Sequence, residues 1–177
     1  MLRRATRDDV AGLPGLERAA GEMFRPLGMD AIADDEPPSH RWLRAAVAAG
    51  SAWVVDVGGV VVAYLVARTV DGCAHVEQVT VHPDHARRGW GAALVEELAL
   101  QASAAGLPAL TLTTFRDVPW NGPYYERLGF YFLPDAEVTP GLRARREEEA
   151  ARGLDRWPRA CMRRELSSPR SAPRPAT

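Results

Sequence analysis

The chain contains no lysine, and all 22 of its basic residues are arginine. That absence removes a Schiff-base amine, any self-acetylation on lysine, and the Gly-Lys-Ser/Thr phosphate loop of nucleotide hydrolases. Cysteine is almost as scarce. Cys73 and Cys161 are too few and too far apart to read as a disulfide framework or a metal knuckle, so two inert structural thiols and no metal are expected. No apolar run approaches ~20 residues and no secretory pattern is visible, which points to a cytoplasmic protein with no membrane partner. A formal net charge of −1 lacks the basic excess that a nucleic-acid surface needs. No internal repeat is visible.

What is present is enough for one sizeable core: 177 residues, 46% of them hydrophobic. The expected domain runs over 1–166. Residues 167–177, rich in Pro, Ser and Arg, read as a disordered tail.

The most informative stretch is Val79-Thr80-Val81-His82-Pro83-Asp84-His85-Ala86-Arg87-Arg88-Gly89-Trp90-Gly91-Ala92. It reads as a strand, a tight turn at Pro83-Asp84 and the first turn of a helix whose apolar spacing continues to Leu100. Unpaired N–H groups at a helix start form an anion site, and Arg87 and Arg88 deepen it enough for a pyrophosphate. A dinucleotide fingerprint would need glycine at position 94, which is leucine.

Ala86-Arg87-Arg88-Gly89-Trp90-Gly91 resembles the acyl-CoA loop of the GCN5-related N-acetyltransferases (the GNAT family), Gln/Arg-x-x-Gly-x-Gly/Ala. Ala86 departs from the usual Gln or Arg, which removes one side-chain contact and leaves the backbone cradle. Asn121-Gly122-Pro123-Tyr124-Tyr125-Glu126-Arg127-Leu128-Gly129-Phe130 is similar to the family's later motif, Asn followed by aromatic-Tyr-x-x-x-Gly-Phe. The resemblance covers about residues 1–166. It implies acetyl-CoA as co-substrate, Tyr125 as the acid that protonates the departing thiolate, and Asn121 as a cofactor contact. The implied cofactor set also takes in Val79, Thr80, Val81, Arg87, Arg88, Gly89, Trp90, Gly91, Ala92 and Tyr124. Tyr124 holds the slot usual for Phe or Leu, where packing is the ordinary role.

The coarse pattern agrees with that family. Ser51–Asp56 and Val60–Arg68 form a hairpin across Gly58-Gly59, and Asp71-Gly72 turns into the signature strand. Thr6 with Asp9 caps a first helix, which Pro14 breaks or restarts. Residues 28–38 read as loop. Ser39 caps a helix with Trp42, Leu43, Ala46 and Val47 inward, and Thr139-Pro140 starts another whose Arg/Glu run reads as a solvated face. Further strands are expected at Ala109–Phe115, from Phe130, and over Trp157–Leu166. The fold class is therefore mixed α/β (α+β): a mostly antiparallel central sheet, helices on both faces, and a splay between the fourth and fifth strands.

Transfer to an amine needs a neutral nucleophile, a polarised carbonyl and a protonated leaving group. Period-two alternation puts His75, Glu77 and Val79 on one face of the signature strand, with Glu77 the first candidate base and His75 the second. Glu17, Phe24, Arg25, Thr114 and Arg116 are candidates for the acceptor pocket. The expected function is N-acetyl transfer from acetyl-CoA to an amine of a small molecule or peptide. A non-catalytic acyl-CoA sensor on the same fold and a helix-mediated interaction protein using 139–166 stay open, as does a homodimer through the last strand.

Overall fold

Apolar strands, three of them joined by two-residue turns, build the first half of the sheet. In the computed structural model, which describes residues 1–166, β1 (Leu2–Arg4), β2 (Ala52–Val57), β3 (Val60–Val70) and β4 (Cys73–Val81) pair antiparallel in sequence order. Both hairpins close on two residues at positive φ: Gly58 (63°) and Gly59 (86°), then Asp71 (47°) and Gly72 (75°). That is the turn geometry whose twist matches the flanking strands. Asp71 is no glycine. Its carboxylate accepts from the Thr139 hydroxyl and from the Gly141 backbone N–H at 2.7 Å, which ties the turn to a distant helix start.

The second half is entered by a crossover. β5 (Ala109–Phe115) lies parallel to β4, followed in space by β7 (Arg159–Glu165) and β6 (Tyr131–Phe132), giving the order β1-β2-β3-β4-β5-β7-β6. β7 lies inside the sheet, paired to β5 along its length and to β6 over Met162–Arg163, so the sheet's edges are β1 and β6.

The β4–β5 ladder holds only from Ala74↔Leu110 to Val76↔Leu112. Beyond Val76, β4 remains paired to β3 while its other edge opens. This is the splay expected between the fourth and fifth strands.

Helices cover both faces. α4 (Trp90–Ala104) packs Leu94, Val95 and Leu98 onto Val76, Leu110, Leu112 and Met162, all 5% exposed or less. On the other face, α1 (Leu13–Gly21) and α3 (His40–Ala48) enclose Val54, Tyr64 and Val66. Pro14 sits in the first turn of α1 and restarts the chain as a helix there. Asp9 accepts from the Thr6 backbone N–H and hydroxyl, and Ser39 caps α3 by accepting from the Trp42 N–H.

Three expectations need correction. The stretch 28–38 is not all loop: Asp30–Ala33 forms a short helix, α2. Trp42 does not point inward with Leu43 and Ala46; it is 37% exposed. The Arg/Glu run of α6 (Pro140–Ala151) is not a purely solvated face. Leu142 is buried, and Glu149 accepts from the Thr113 hydroxyl on β5. α5 (Gly122–Arg127) completes the set. The tail expected at 167–177 lies outside the described residues.

Candidate active site

Where β4 and β5 part, a cleft of about 1570 Å³ opens between α1, β4, the turn 83–92, β5, α5 and α6. At one end the chain leaves β4, makes a 3-10 turn over Pro83–His85 and enters α4. Arg87 (φ 59°) and Gly89 (φ 81°) hold the left-handed conformation that swings the backbone round into the helix. The N–H groups of the first turn of α4, Trp90 to Ala92, have no helical carbonyl to bond, and all three residues line the cleft. Gly91 is needed for space, because a Cβ there would come within 2.8 Å of the Tyr124 hydroxyl. A cradle floored by glycine and lined by N–H groups fits a diphosphate, with Arg87 and Arg88 exposed beside it.

α5 forms the adjacent wall. Its start is fixed by a close backbone approach: a Cβ on Gly122 would lie 2.2 Å from the Arg116 carbonyl oxygen. Asn121 just before it accepts from the Thr114 hydroxyl at 2.9 Å. Tyr125 is 7% exposed and lies edge-on to Tyr124 and Phe130, with ring centroids 5.5 and 5.6 Å away. Burial pushes both tyrosine hydroxyls above their ordinary pKa, Tyr125 more strongly, so each remains a neutral proton donor. Both line the cleft.

β4 supplies the floor, with an altered alternation. A bulge between Val66 and Ala67 pairs Gln78 with Val66 and Val76 with Ala67, leaving Glu77 without a partner on β3. Val79 and Val81 therefore join Ala74 and Val76 on the α4 face, while Gln78 and Thr80 turn toward α1. The expected grouping of His75, Glu77 and Val79 on one face is corrected accordingly. Thr80 lines the cleft and donates its hydroxyl to Glu17 at 2.7 Å.

The candidate bases differ in their surroundings. His75 is 2% exposed, bonds Thr111 Oγ1 through Nδ1 at 2.9 Å, and is held down to about 4 by burial and then by the nearby Arg145. It is a neutral imidazole at pH 7. The Glu77 carboxylate is held by two guanidiniums, Arg145 and Arg68, the latter at 3.2 Å. Both contacts fall on Oε1. Glu17 on α1 accepts from Tyr64 Oη, Thr80 Oγ1 and Gln78 Nε2, each at 2.7 Å.

Phe24 and Thr114 line the cleft as expected. Arg25 and Arg116 stand outside its lining. Arg25 is spent on Glu22, Asp30 and Asp34, and Arg116 lies over the Phe132 ring, 4.5 Å from its centroid. Trp120, Arg145, Glu149 and Arg159 line the cleft without having been singled out in the sequence. Burial alone would raise Glu149, yet Arg159, Thr113 and Arg146 hold it low. The spacing of Leu142, Arg145 and Glu149 on one helical stripe was the available signal for α6.

Comparison with known proteins agrees with this geometry. N-acetylglutamate synthase from Neisseria gonorrhoeae, complexed with coenzyme A and N-acetyl-glutamate, superposes with a TM-score of 0.70 at 18% identity, covering 94% of this chain and 35% of that one. The chain thus spans about a third of that synthase. PaiA N-acetyltransferase from Thermoplasma acidophilum, in complex with coenzyme A, gives 0.69 at 12% identity over 94% of this chain and 98% of that one. The ribosomal-protein-S18-alanine N-acetyltransferase from Escherichia coli gives 0.64 at 16% over 100% and 98%. At such identities these likenesses establish the fold. Among the described residues no helix is long and apolar enough to cross a membrane. Residues 17–130, from Glu17 on α1 through the splayed strands to Phe130, match the model of the acetyltransferase (GNAT) family, and the chain belongs to that family.

Proposed function

We propose that the protein transfers the acetyl group of acetyl-CoA to an amine by direct attack within a ternary complex. The observation that carries this is the parting of β4 from β5 after Val76 and Leu112 between a glycine-floored helix start and a buried tyrosine. The diphosphate docks on the N–H groups of Trp90 to Ala92, beside Arg87 and Arg88. The acyl-pantetheine arm lies along the open edge of β4, where a backbone N–H among Val79, Thr80 and Val81 holds the thioester carbonyl. Asn121 closes the cofactor wall, its side chain set by Thr114.

The amine attacks the carbonyl carbon. The C–S bond breaks with its electron pair on sulfur, and Tyr125 supplies the proton that makes the thiol. Burial keeps Tyr125 protonated, and the same desolvation favours a thiol over a thiolate formed beside it.

The test is acetyl-CoA binding and turnover. Acetyl-CoA at a hundredfold excess over Kd should stabilise the protein by about 2.7 kcal/mol. Gly89→Glu places bulk and like charge at the phosphates and should abolish the thermal shift. An undiminished shift in that variant overturns the assignment. A normal shift in the wild type without thiol release for any amine overturns transfer and leaves a sensor.

A further inference from the structure

Of the carboxylates that line the cleft, three are partly buried, Glu17, Glu77 and Glu149, and two of these already hold their cations. Glu77 is paired with Arg68 and Arg145, and Glu149 with Arg146 and Arg159. Glu17 is different. Among the described residues it forms no ion pair, and its three partners are the neutral donors Tyr64, Thr80 and Gln78. A carboxylate offers about four lone-pair positions. Tyr64 and Thr80 occupy Oε2 and Gln78 occupies one position on Oε1, so one position on Oε1 is left on a group that lines the cleft. The three donors fix the carboxylate's orientation. A largely desolvated carboxylate without a cation is electrostatically incomplete, and a cation entering the cleft completes it.

Beyond Glu17 the same end of the cleft is apolar. Phe24 packs edge-on against Phe115 and Trp120, with centroids 5.8 and 5.5 Å away, and Phe24 and Trp120 remain partly exposed on the cleft wall with Trp42 and Ile32.

We propose that Glu17 docks the ammonium group of the acceptor and takes its proton, and that the acceptor is a primary amine carried on an apolar body of about one ring. The proposal rests on the acetyl-transfer reading of the cleft. The ammonium gives one proton to the Glu17 carboxylate. The freed lone pair on nitrogen forms the N–C bond, and the C–S bond breaks with its pair on sulfur. Tyr125 protonates the sulfur and takes the second nitrogen proton in return. The products are the amide, the free thiol and a neutral Glu17, whose proton returns to solvent. Burial raises Glu17 above the usual carboxylate range, which makes it a better proton acceptor than an exposed carboxylate. The titratable groups facing it are Tyr64 from β3 and Asp35 beyond α2, while β4 presents Thr80 and Gln78.

The experiment measures thiol release from acetyl-CoA with 2-phenylethylamine, tryptamine, glycine and L-glutamate, in the wild type, Glu17→Gln and Glu17→Asp, from pH 6 to about pH 10, where a substantial fraction of a primary amine is neutral. The two ring-bearing amines should exceed L-glutamate in kcat/KM by roughly tenfold or more. At pH 7, Glu17→Gln should lower kcat/KM by roughly 10²-fold, with most of the loss recovered at high pH. Glu17→Asp should retain more activity than Glu17→Gln, and the acetyl-CoA thermal shift should be unchanged in both. An unaltered kcat/KM and pH profile in Glu17→Gln overturns the proposal, as does a preference for L-glutamate. An equal loss in Glu17→Asp, or a lost acetyl-CoA shift, makes Glu17 structural and overturns it as well. Absence of turnover in the wild type itself is the separate failure of the transfer reading.

Discussion

At the end of the cleft proposed for the phosphates, the lining comes from one contiguous turn, residues 83–92. At the end proposed for the acceptor, the lining side chains come from separate elements: Glu17 from α1, Gln78 and Thr80 from β4, Thr113 from β5, Arg145 and Glu149 from α6, and Arg159 from β7. The first kind of site depends on backbone conformation, with Gly89 at a φ of 81°. The second kind depends on which carboxylate is neutralised by which guanidinium. Glu149 is held low by Arg159, Thr113 and Arg146, whereas Glu17 is pushed up by burial with no arginine to oppose it. Chemically similar side chains are thereby given opposite properties by their neighbours.

The largest effect expected from testing this contrast is at Tyr125, which stands between the two ends. Tyr125→Phe should lower kcat by roughly 10²–10⁴ with acetyl-CoA affinity nearly kept. An equal kcat would assign the sulfur's proton to water.

A smaller effect is expected at His75, which is neutral because it is buried near Arg145 and Arg68. The unfolded chain binds a proton at His75 below its ordinary value of 6.5, and the folded protein only near 4. Between those values the unfolded state holds more protons, so stability is full above pH 6.5 and falls as pH drops toward 4. By pH 5 the loss is about 2 kcal/mol, or about 4–8 °C in Tm. His75→Gln, which retains a partner for Thr111, should show a Tm fall between pH 7 and pH 5 that is smaller by that amount. An undiminished fall would place the acid sensitivity on the carboxylates, among which Asp9 is held down to about 2 by Arg3.

The smallest effect is expected at Glu77. With its carboxylate engaged by Arg68 and Arg145, Glu77→Gln should reduce kcat/KM for an amine by less than about tenfold, with little change in the pH profile. A loss as large as that of Glu17→Gln, recovering at high pH, would make Glu77 the proton acceptor despite its pairing.

The turn and both hairpins were legible in the sequence because their determinants are local. Gly89, Gly58-Gly59 and Asp71-Gly72 each mark a backbone shape that few other residues adopt, and all of them occur where that shape is needed. Apolar periodicity likewise anticipated β5, α4 and the buried face of α3, apart from Trp42. The bulge at Glu77 was hidden. An extra residue in one strand is defined only against its partner, and nothing in Val76-Glu77-Gln78 signals that Ala67 will face Val76. Arg145 and Glu149 were read as solvated because a charged helix stripe looks the same whether it meets water or another set of charges.

The sequence by itself determined where the chain turns and which faces are apolar, since those follow from φ preferences and spacing within a few residues. The tertiary structure alone decided which carboxylate lacks a cation. Glu17, Glu77 and Glu149 are the same amino acid, and they are told apart by Arg68, Arg145, Arg146 and Arg159, which the pairing of β3 with β4, the packing of α6 on the sheet and the pairing of β5 with β7 bring to two of them and not to the third.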